Sequence, residues 1–153
     1  MAVRDLSYEG AAVLTQVASP VDRFDGVLAD LVRDMFETMY AAPGRGLAAP
    51  QVGVSTRVFV VDTAWKDADP DPMCFVNPRI VAQSDVRHAG TEACLSIPEK
   101  SFSVSRPAWV EMAWDDLDGT PQRGRFDGVQ AVCICHELDH LDGLLITQTG
   151  VPI

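Results

Sequence analysis

The sequence predicts a single α+β domain, with antiparallel strands around a central helix that carries the string HELDH and an amphipathic helix in the N-terminal part. Three observations predict it. At 153 residues, 47% hydrophobic and 22% charged, the chain is large enough to bury one core without staples. Apolar residues recur with a helical period in two well-separated stretches. Between them the sequence breaks into short apolar runs punctuated by Pro, Gly and Asp, the pattern of strands and turns. No internal repeat or linker divides it, so residues 1–153 are expected to form one domain.

In chain order, the first helix is expected over residues 24–40. Val27, Leu28, Leu31, Val32, Met35, Phe36 and Met39 fall on one side there, with Asp30, Arg33, Asp34 and Glu37 between them. Residues 41–45, with Pro43 and Gly44, end it and open a loop. Residues 57–62 read as a strand, 64–72 as an exposed loop rich in Asp and Pro, and 73–77 as a short strand before a turn at Pro78. Further strands are expected over 80–83, 101–105 and 109–114. The Asp-Gly step within 115–120 makes a hairpin turn, and 122–126 is the returning strand. The helical period resumes over 129–141, and Gly143 stands where a helix C-cap residue belongs.

A formal net charge of −10 argues against direct binding of nucleic acid or of a membrane surface; a contact with a nucleic-acid machine would have to be local. The first ten residues show no secretory pattern, and no apolar run approaches the length of a membrane span. The four cysteines, at 74, 94, 133 and 135, do not form the framework of a small secreted domain. A reducing, cytoplasmic setting is expected.

Two of the three histidines stand in HELDH. Residues four apart share a helix face, so His136 and His140 can grip one metal ion while Glu137 stands beside its open side. That is the arrangement of a hydrolytic site, and it needs a third ligand. Downstream routes are closed: no acidic residue follows Asp142, and the extended pattern HExxHxxGxxH is matched through Gly143 but has Ile146 at the third histidine position. Upstream, His88 lies in a polar stretch and reads as a solvated surface residue. Cys133 is roughly 7.5 Å along a helix axis from the midpoint of the two histidines, against a metal–sulfur bond of about 2.3 Å. Cys135 precedes His136 and points off the ligand face, and Cys74, in the apolar run MCFV, reads as an inert buried thiol. Cys94, in TEACLSIP, remains. On the residues alone it is a nucleophile, a core side chain or the third ligand, and the incomplete two-histidine site favours the ligand.

Three ordered strings, GRGLAAPQ (Gly44 to Gln51), EACLS (Glu92 to Ser96) and HELDH (His136 to His140), resemble the signature motifs of the peptide deformylases. The likeness extends through DMFETMY, VNPRI, LSIPE and AVCICHELDHLDG, from about Pro20 to Gly143. The resemblance implies removal of the formyl group from N-formylmethionine at the start of new polypeptides, with N-formylated nascent peptides as partners and a transient ribosome contact. It implies one divalent metal ion held by Cys94, His136 and His140. Ferrous iron, Fe2+, is the expected ion, with Zn2+, Ni2+ or Co2+ substituting, and one thiolate with two imidazoles suits any of them.

By the same resemblance Glu137 handles the proton of the attacking water, and the side-chain amide of Gln51 and the backbone N–H of Leu95 stabilise the oxyanion. Gly44, Arg45 and Gly46 belong to the substrate-binding loop. Val129, Val132 and Cys133, seven, four and three residues before His136, share its face and are expected to form an apolar slot for methionine. The chain departs from the family pattern at Ala93 (usually glycine), Cys135 (commonly glutamine), Arg45 (usually aliphatic) and Gly90 (usually apolar). Two other readings stand beside the deformylase: a metallopeptidase, and a low-activity paralogue acting on another formylated amine or serving as a metal-retaining binding protein. Glu137 and Gln51 argue against mere metal retention, which needs neither.

Overall fold

The first helix, α1, spans Gly26–Ala41 in the computed structural model, which describes residues 2–153. Asp25 starts it by accepting hydrogen bonds from the backbone N–H groups of Val27 (3.1 Å) and Leu28 (3.3 Å), two donors that a helix start leaves unpaired. Leu28, Leu31, Val32, Met35 and Met39 turn inward. Val27, expected on that face, is 78% exposed, because it sits about 100° round the helix from Leu28 and off the apolar stripe.

The strands are β1 (Gly46–Ala48), β2 (Val58–Val61), β3 (Met73–Gln83), β4 (Arg87–Cys94), β5 (Ile97–Pro107), β6 (Trp109–Asp115), β7 (Pro121–Asp127) and β8 (Val151–Pro152). They form two antiparallel sheets, one ordered β1-β2-β3-β6-β7 and the other β4-β5-β8. Helix α2 spans Gly128–Leu141, and a single-turn helix, α3, spans Ile146–Thr149. The result is a single-domain α+β fold.

Strand β2 explains the packing. Its sequence, VFVV, has no polar alternation because both faces are covered. Val58 and Val60 join the inward side chains of α1, while Phe59 and Val61 join Ala131, Ile134, Leu138 and Leu141 of α2. The five-stranded sheet is thus held between the two helices. Phe59 stacks on Phe75, and Trp114 packs on Phe75 at a tilt, beneath α2, with ring centroids 4.8 and 4.6 Å apart. A third cluster, Leu14, Cys94, Ile97, Phe102, Val104, Leu145 and Ile146, forms under the smaller sheet.

Several boundaries differ from expectation. Residues 73–77 and 80–83 are one continuous strand, β3, rather than two strands separated by a turn at Pro78. Asn77 takes a positive φ of 49° and the register shifts there, so the polar step makes a bulge; its side chain is anchored by hydrogen bonds with the backbone of Val21 (2.8 and 2.9 Å). The strand expected over 101–105 runs through Ile97–Pro107. β1 falls in a segment read as loop, and β4 begins in the polar stretch around His88 and ends in the strand-like run of TEACLSIP. The loop at 64–72 is not simply exposed: Trp65 is half-buried and its indole N–H donates to the Gly44 carbonyl at 2.9 Å.

The C-terminal end of α2 is fixed from outside. Arg57 donates to the Leu141 carbonyl (2.9 Å) and to the Asp142 carboxylate (2.8 Å), a cation at the negative end of the helix. Gly143, at φ 75°, lets the chain leave; a Cβ there would lie 2.8 Å from the Thr15 carbonyl oxygen. These contacts tie the end of α2 to the N-terminal segment and to the residue before β2.

Candidate metal centre and its cleft

Two elements supply the centre. Alternation along β4 sends Glu92 and Cys94 inward, each 7% exposed, and turns Ala93 between them outward. The extra methyl at Ala93 therefore points away from the side of the strand that carries Cys94. Helix α2 presents His136, Glu137 and His140, all buried. One ligand atom from each of Cys94, His136 and His140 lies within 4.8 Å of the others. Cys94 Sγ is 3.4 Å from His140 Nε2, close to the edge of about 3.3–3.8 Å expected for a tetrahedron with metal bonds of about 2.0–2.3 Å.

The orientation of His136 is set by a network the sequence did not announce. Its Nδ1 bonds to Glu92 Oε1 at 2.9 Å, which leaves Nε2 as the other nitrogen available to a ligand. Arg106, on β5, donates twice to Glu92 at 2.9 Å and once to Asp139 at 2.6 Å. A buried guanidinium is thereby shared between two carboxylates, one of which holds the imidazole. Glu92 lies within the EACLS string and two residues before Cys94, so strand alternation was a usable signal for it. Asp139 sits inside HELDH, but nothing in the sequence pointed to Arg106.

The electrostatics follow from burial and neighbours. Burial would raise the Glu92 carboxyl, but its bonds from His136 and Arg106 hold it below the ordinary value. Burial opposes protonation of His136, yet Cys94, Glu137 and Glu92 raise it to about 10. His140 goes the other way, to about 3, through burial and the positive charge of His136 and Arg106. An imidazole binds a metal as the neutral ring, so a metal held here would take the place of a proton on His136. Glu137 is pushed up to about 7, first by burial. Its Oε1 and the His140 Nδ1 are the buried side-chain polar atoms with no hydrogen-bond partner among the described residues. One thiol and two imidazoles, with an unpartnered carboxylate oxygen beside them, fit a divalent metal ion.

Beside the cluster opens a cleft of about 930 Å³. Gln51, 1% exposed, reaches its inner end; its amide nitrogen donates to Ser96 Oγ (3.1 Å) and Cys94 Sγ (3.7 Å), and its oxygen accepts from Ala48 N–H (2.9 Å). Leu95 forms part of the wall. Gly44 and Gly46 come close: a Cβ on Gly46 would lie 2.6 Å from Glu137 Oε2 and 2.9 Å from Cys133 Sγ. Only glycine at that position lets β1 pass the carboxylate. Val132 and Cys133 line the cleft half-buried, and Val129 stands exposed at its edge. Arg45 is at the mouth. His140, 1% exposed, lies behind the cleft wall.

The other candidates fall elsewhere. His88 is exposed on β4, and Gly90 is exposed with no atom within 4 Å of a built Cβ. Cys135 is buried in the core beneath α2, and the thiol of Cys74, raised to about 12 chiefly by burial, is half-buried in β3.

The model of the polypeptide deformylase family matches residues 3–152. The chain is similar to a peptide deformylase from Brucella suis biovar 1, with 48% identity over 145 residues, covering 95% of this chain and 83% of that one. In structure it is similar to a peptide deformylase from Synechococcus elongatus in complex with actinonin, with a TM-score of 0.91 and 42% identity over 95% of this chain and 80% of that one. It is also similar to a class I type b peptide deformylase from Acinetobacter baumannii with Met-Ala-Ser bound, with a TM-score of 0.90 and 32% identity over 96% of this chain and 98% of that one.

Proposed function

The chain belongs to the polypeptide deformylase family, and from that premise we propose that it hydrolyses the N-formyl group of N-formylmethionyl peptides, releasing formate and a free amine. The observation that carries the proposal is the meeting of Cys94 from β4 with His136 and His140 from α2, beside buried Glu137, at the inner end of a cleft of about 930 Å³. In this reading residues 1–153 act as one catalytic domain. Cys94, His136 and His140 hold one divalent metal, Fe2+ by preference, with Zn2+, Ni2+ or Co2+ able to substitute. When bound, such a metal supplies Lewis acidity and lowers the pKa of its water to about 7.

The protein's own groups do the rest. Glu137 takes a proton as water attacks the formyl carbon and returns it to the departing nitrogen; burial favours a carboxyl able to both accept and release a proton. The Gln51 amide N–H and the Leu95 backbone N–H donate to the oxyanion as it forms, and Gln51 is held for this by the Ala48 N–H. Gly46 gives Glu137 its room, and Gly44 and Arg45 continue that wall. Val132, Cys133 and Val129 receive the unbranched methionine side chain. Glu92, Arg106 and Asp139 fix the imidazole of His136.

The protein works in the cytoplasm on nascent chains, with a transient ribosome contact and no direct hold on nucleic acid, in keeping with its net charge of −10. No described helix is long and apolar enough to cross a membrane. The binding-protein alternative is not favoured, since Glu137 and Gln51 are both present and buried beside the cluster. Anaerobic incubation of the iron- or nickel-loaded protein with formyl-Met-Ala-Ser is expected to release formate. Free amino acids from unformylated Met-Ala-Ser, without formate from the formylated peptide, would instead establish a peptidase.

A further inference from the structure

Resting on the reading that formylated peptides enter this cleft, we propose that Arg45, Lys66 and Lys100 form a cationic rim at its mouth. The rim selects peptides with carboxylate side chains close behind the formylated residue. The chain has a net charge of −10 and only two lysines, yet both line the cleft, together with Arg45. Of its 22 acidic residues, only Glu92, Glu99 and Glu137 line it. Glu92 and Glu137 are buried at the floor, and Glu92 is already bonded to Arg106 and His136. Among the lining residues of the mouth, three cations therefore face one carboxylate, Glu99, and a second, Asp67, stands just outside the lining against Arg45.

The rim is built rather than incidental. Asp62, fully buried, accepts the Tyr40 hydroxyl (2.6 Å) and the backbone N–H groups of Ala64 (3.1 Å), Trp65 (3.1 Å) and Asp71 (3.2 Å), which shapes the loop carrying Lys66. The loop is tied to the Gly44–Arg45 segment twice. Trp65 donates to the Gly44 carbonyl at 2.9 Å, and the Asp62 N–H donates to the Arg45 carbonyl at 2.9 Å. Lys66 and Arg45 are thus held on one side of the cleft, and a preorganised frame loses less entropy on binding. Among the described residues the Arg45 guanidinium pairs with Asp67 alone, at 3.5 Å between exposed side chains, a pairing that an incoming carboxylate can replace at little cost. The cations ring a concavity in an otherwise acidic molecule. That geometry suits a peptide carboxylate better than a nucleic-acid backbone, which the overall charge repels.

The test measures binding of Met-Asp-Asp-amide and Met-Asn-Asn-amide to the metal-loaded protein by calorimetry, and formate release from the formylated pair. Exposed ion pairs of this kind predict roughly 3- to 20-fold tighter binding of the acidic peptide at low salt. The preference should shrink below about twofold near 1 M salt, where the screening length is about 3 Å. The double variant Arg45→Leu, Lys66→Met should bring the ratio near one, and Arg45→Glu should favour Met-Lys-Lys-amide, a gain that only a folded protein can show. Equal affinities in the unaltered protein, or a ratio untouched by the double variant, would overturn the proposal. So would a short RNA oligonucleotide that binds this mouth while the two peptides bind alike. A binding preference without formate release would remove the hydrolase reading and leave the rim standing.

Discussion

Beneath the floor of the cleft, Arg106 makes two 2.9 Å bonds to Glu92 and one of 2.6 Å to Asp139, within a largely buried network. At its mouth, Arg45 meets Asp67 at 3.5 Å, and both side chains are exposed. The same chemical pair has opposite consequences in the two places. Removing one member of the buried network strands an uncompensated charge, whereas water replaces the lost partner at the mouth. The floor therefore fixes the geometry of His136 and tolerates little change. Residues at the mouth can alter selectivity at small cost to the fold.

Ways to break this contrast run from large effects to small. Glu137→Gln is expected to lower turnover about 10²- to 10⁴-fold while the metal stays bound, measured by formate release and metal content on one preparation. Near-normal turnover in that variant would remove Glu137 from its role. Arg106→Met is expected to cost about 3–5 kcal/mol in urea unfolding and to weaken metal binding about 10- to 100-fold. Arg45→Met should stay within about 0.5 kcal/mol of the parent in the same unfolding experiment. Similar losses from the two arginines would erase the distinction between floor and mouth.

Stripping the metal with a chelator should lower the unfolding midpoint. Re-adding it at about 100 times its dissociation constant should restore about 2.7 kcal/mol, provided it binds only the folded state. Gly46→Ala, whose Cβ would lie 2.6 Å from Glu137 Oε2, is expected to cost about 10- to 100-fold in kcat through displacement of that carboxylate. Metal content should be unchanged, and loss of the metal instead would show that the strain reaches the ligands. Val27→Ser, on the exposed turn of α1, should shift stability by no more than about 0.5 kcal/mol.

The sequence revealed α2 and its face because a helical period and the HELDH spacing coincide on one element. The first half of strand β4 was hidden and only its end, in the strand-like run TEACLSIP, was legible: RHAGTEAC lacks apolar alternation, since most of its side chains face water and only Glu92 and Cys94 turn in. Cys94 was reachable by elimination and by its motif. Arg106 was not, because its bond to Glu92 is made between neighbouring strands, and sequence spacing says nothing about such a contact until the hairpin is paired. The loop at 64–72 looked solvent-bound by composition. What ties it to the cleft is one aspartate and one indole, Asp62 and Trp65, whose bonds depend on tertiary placement. Conversely, Val27 looked like core from hydrophobicity and is not, which a stricter reading of its angle about α1 would have told.

The most direct test of the account is cobalt substitution followed by absorption spectroscopy on the parent and on Cys94→Ser. The account predicts one Co2+ per parent chain and a thiolate-to-metal charge-transfer band that disappears, with weakened binding, in Cys94→Ser. An undiminished band in that variant, or loss of the band on changing Cys133 or Cys135 instead, would contradict it.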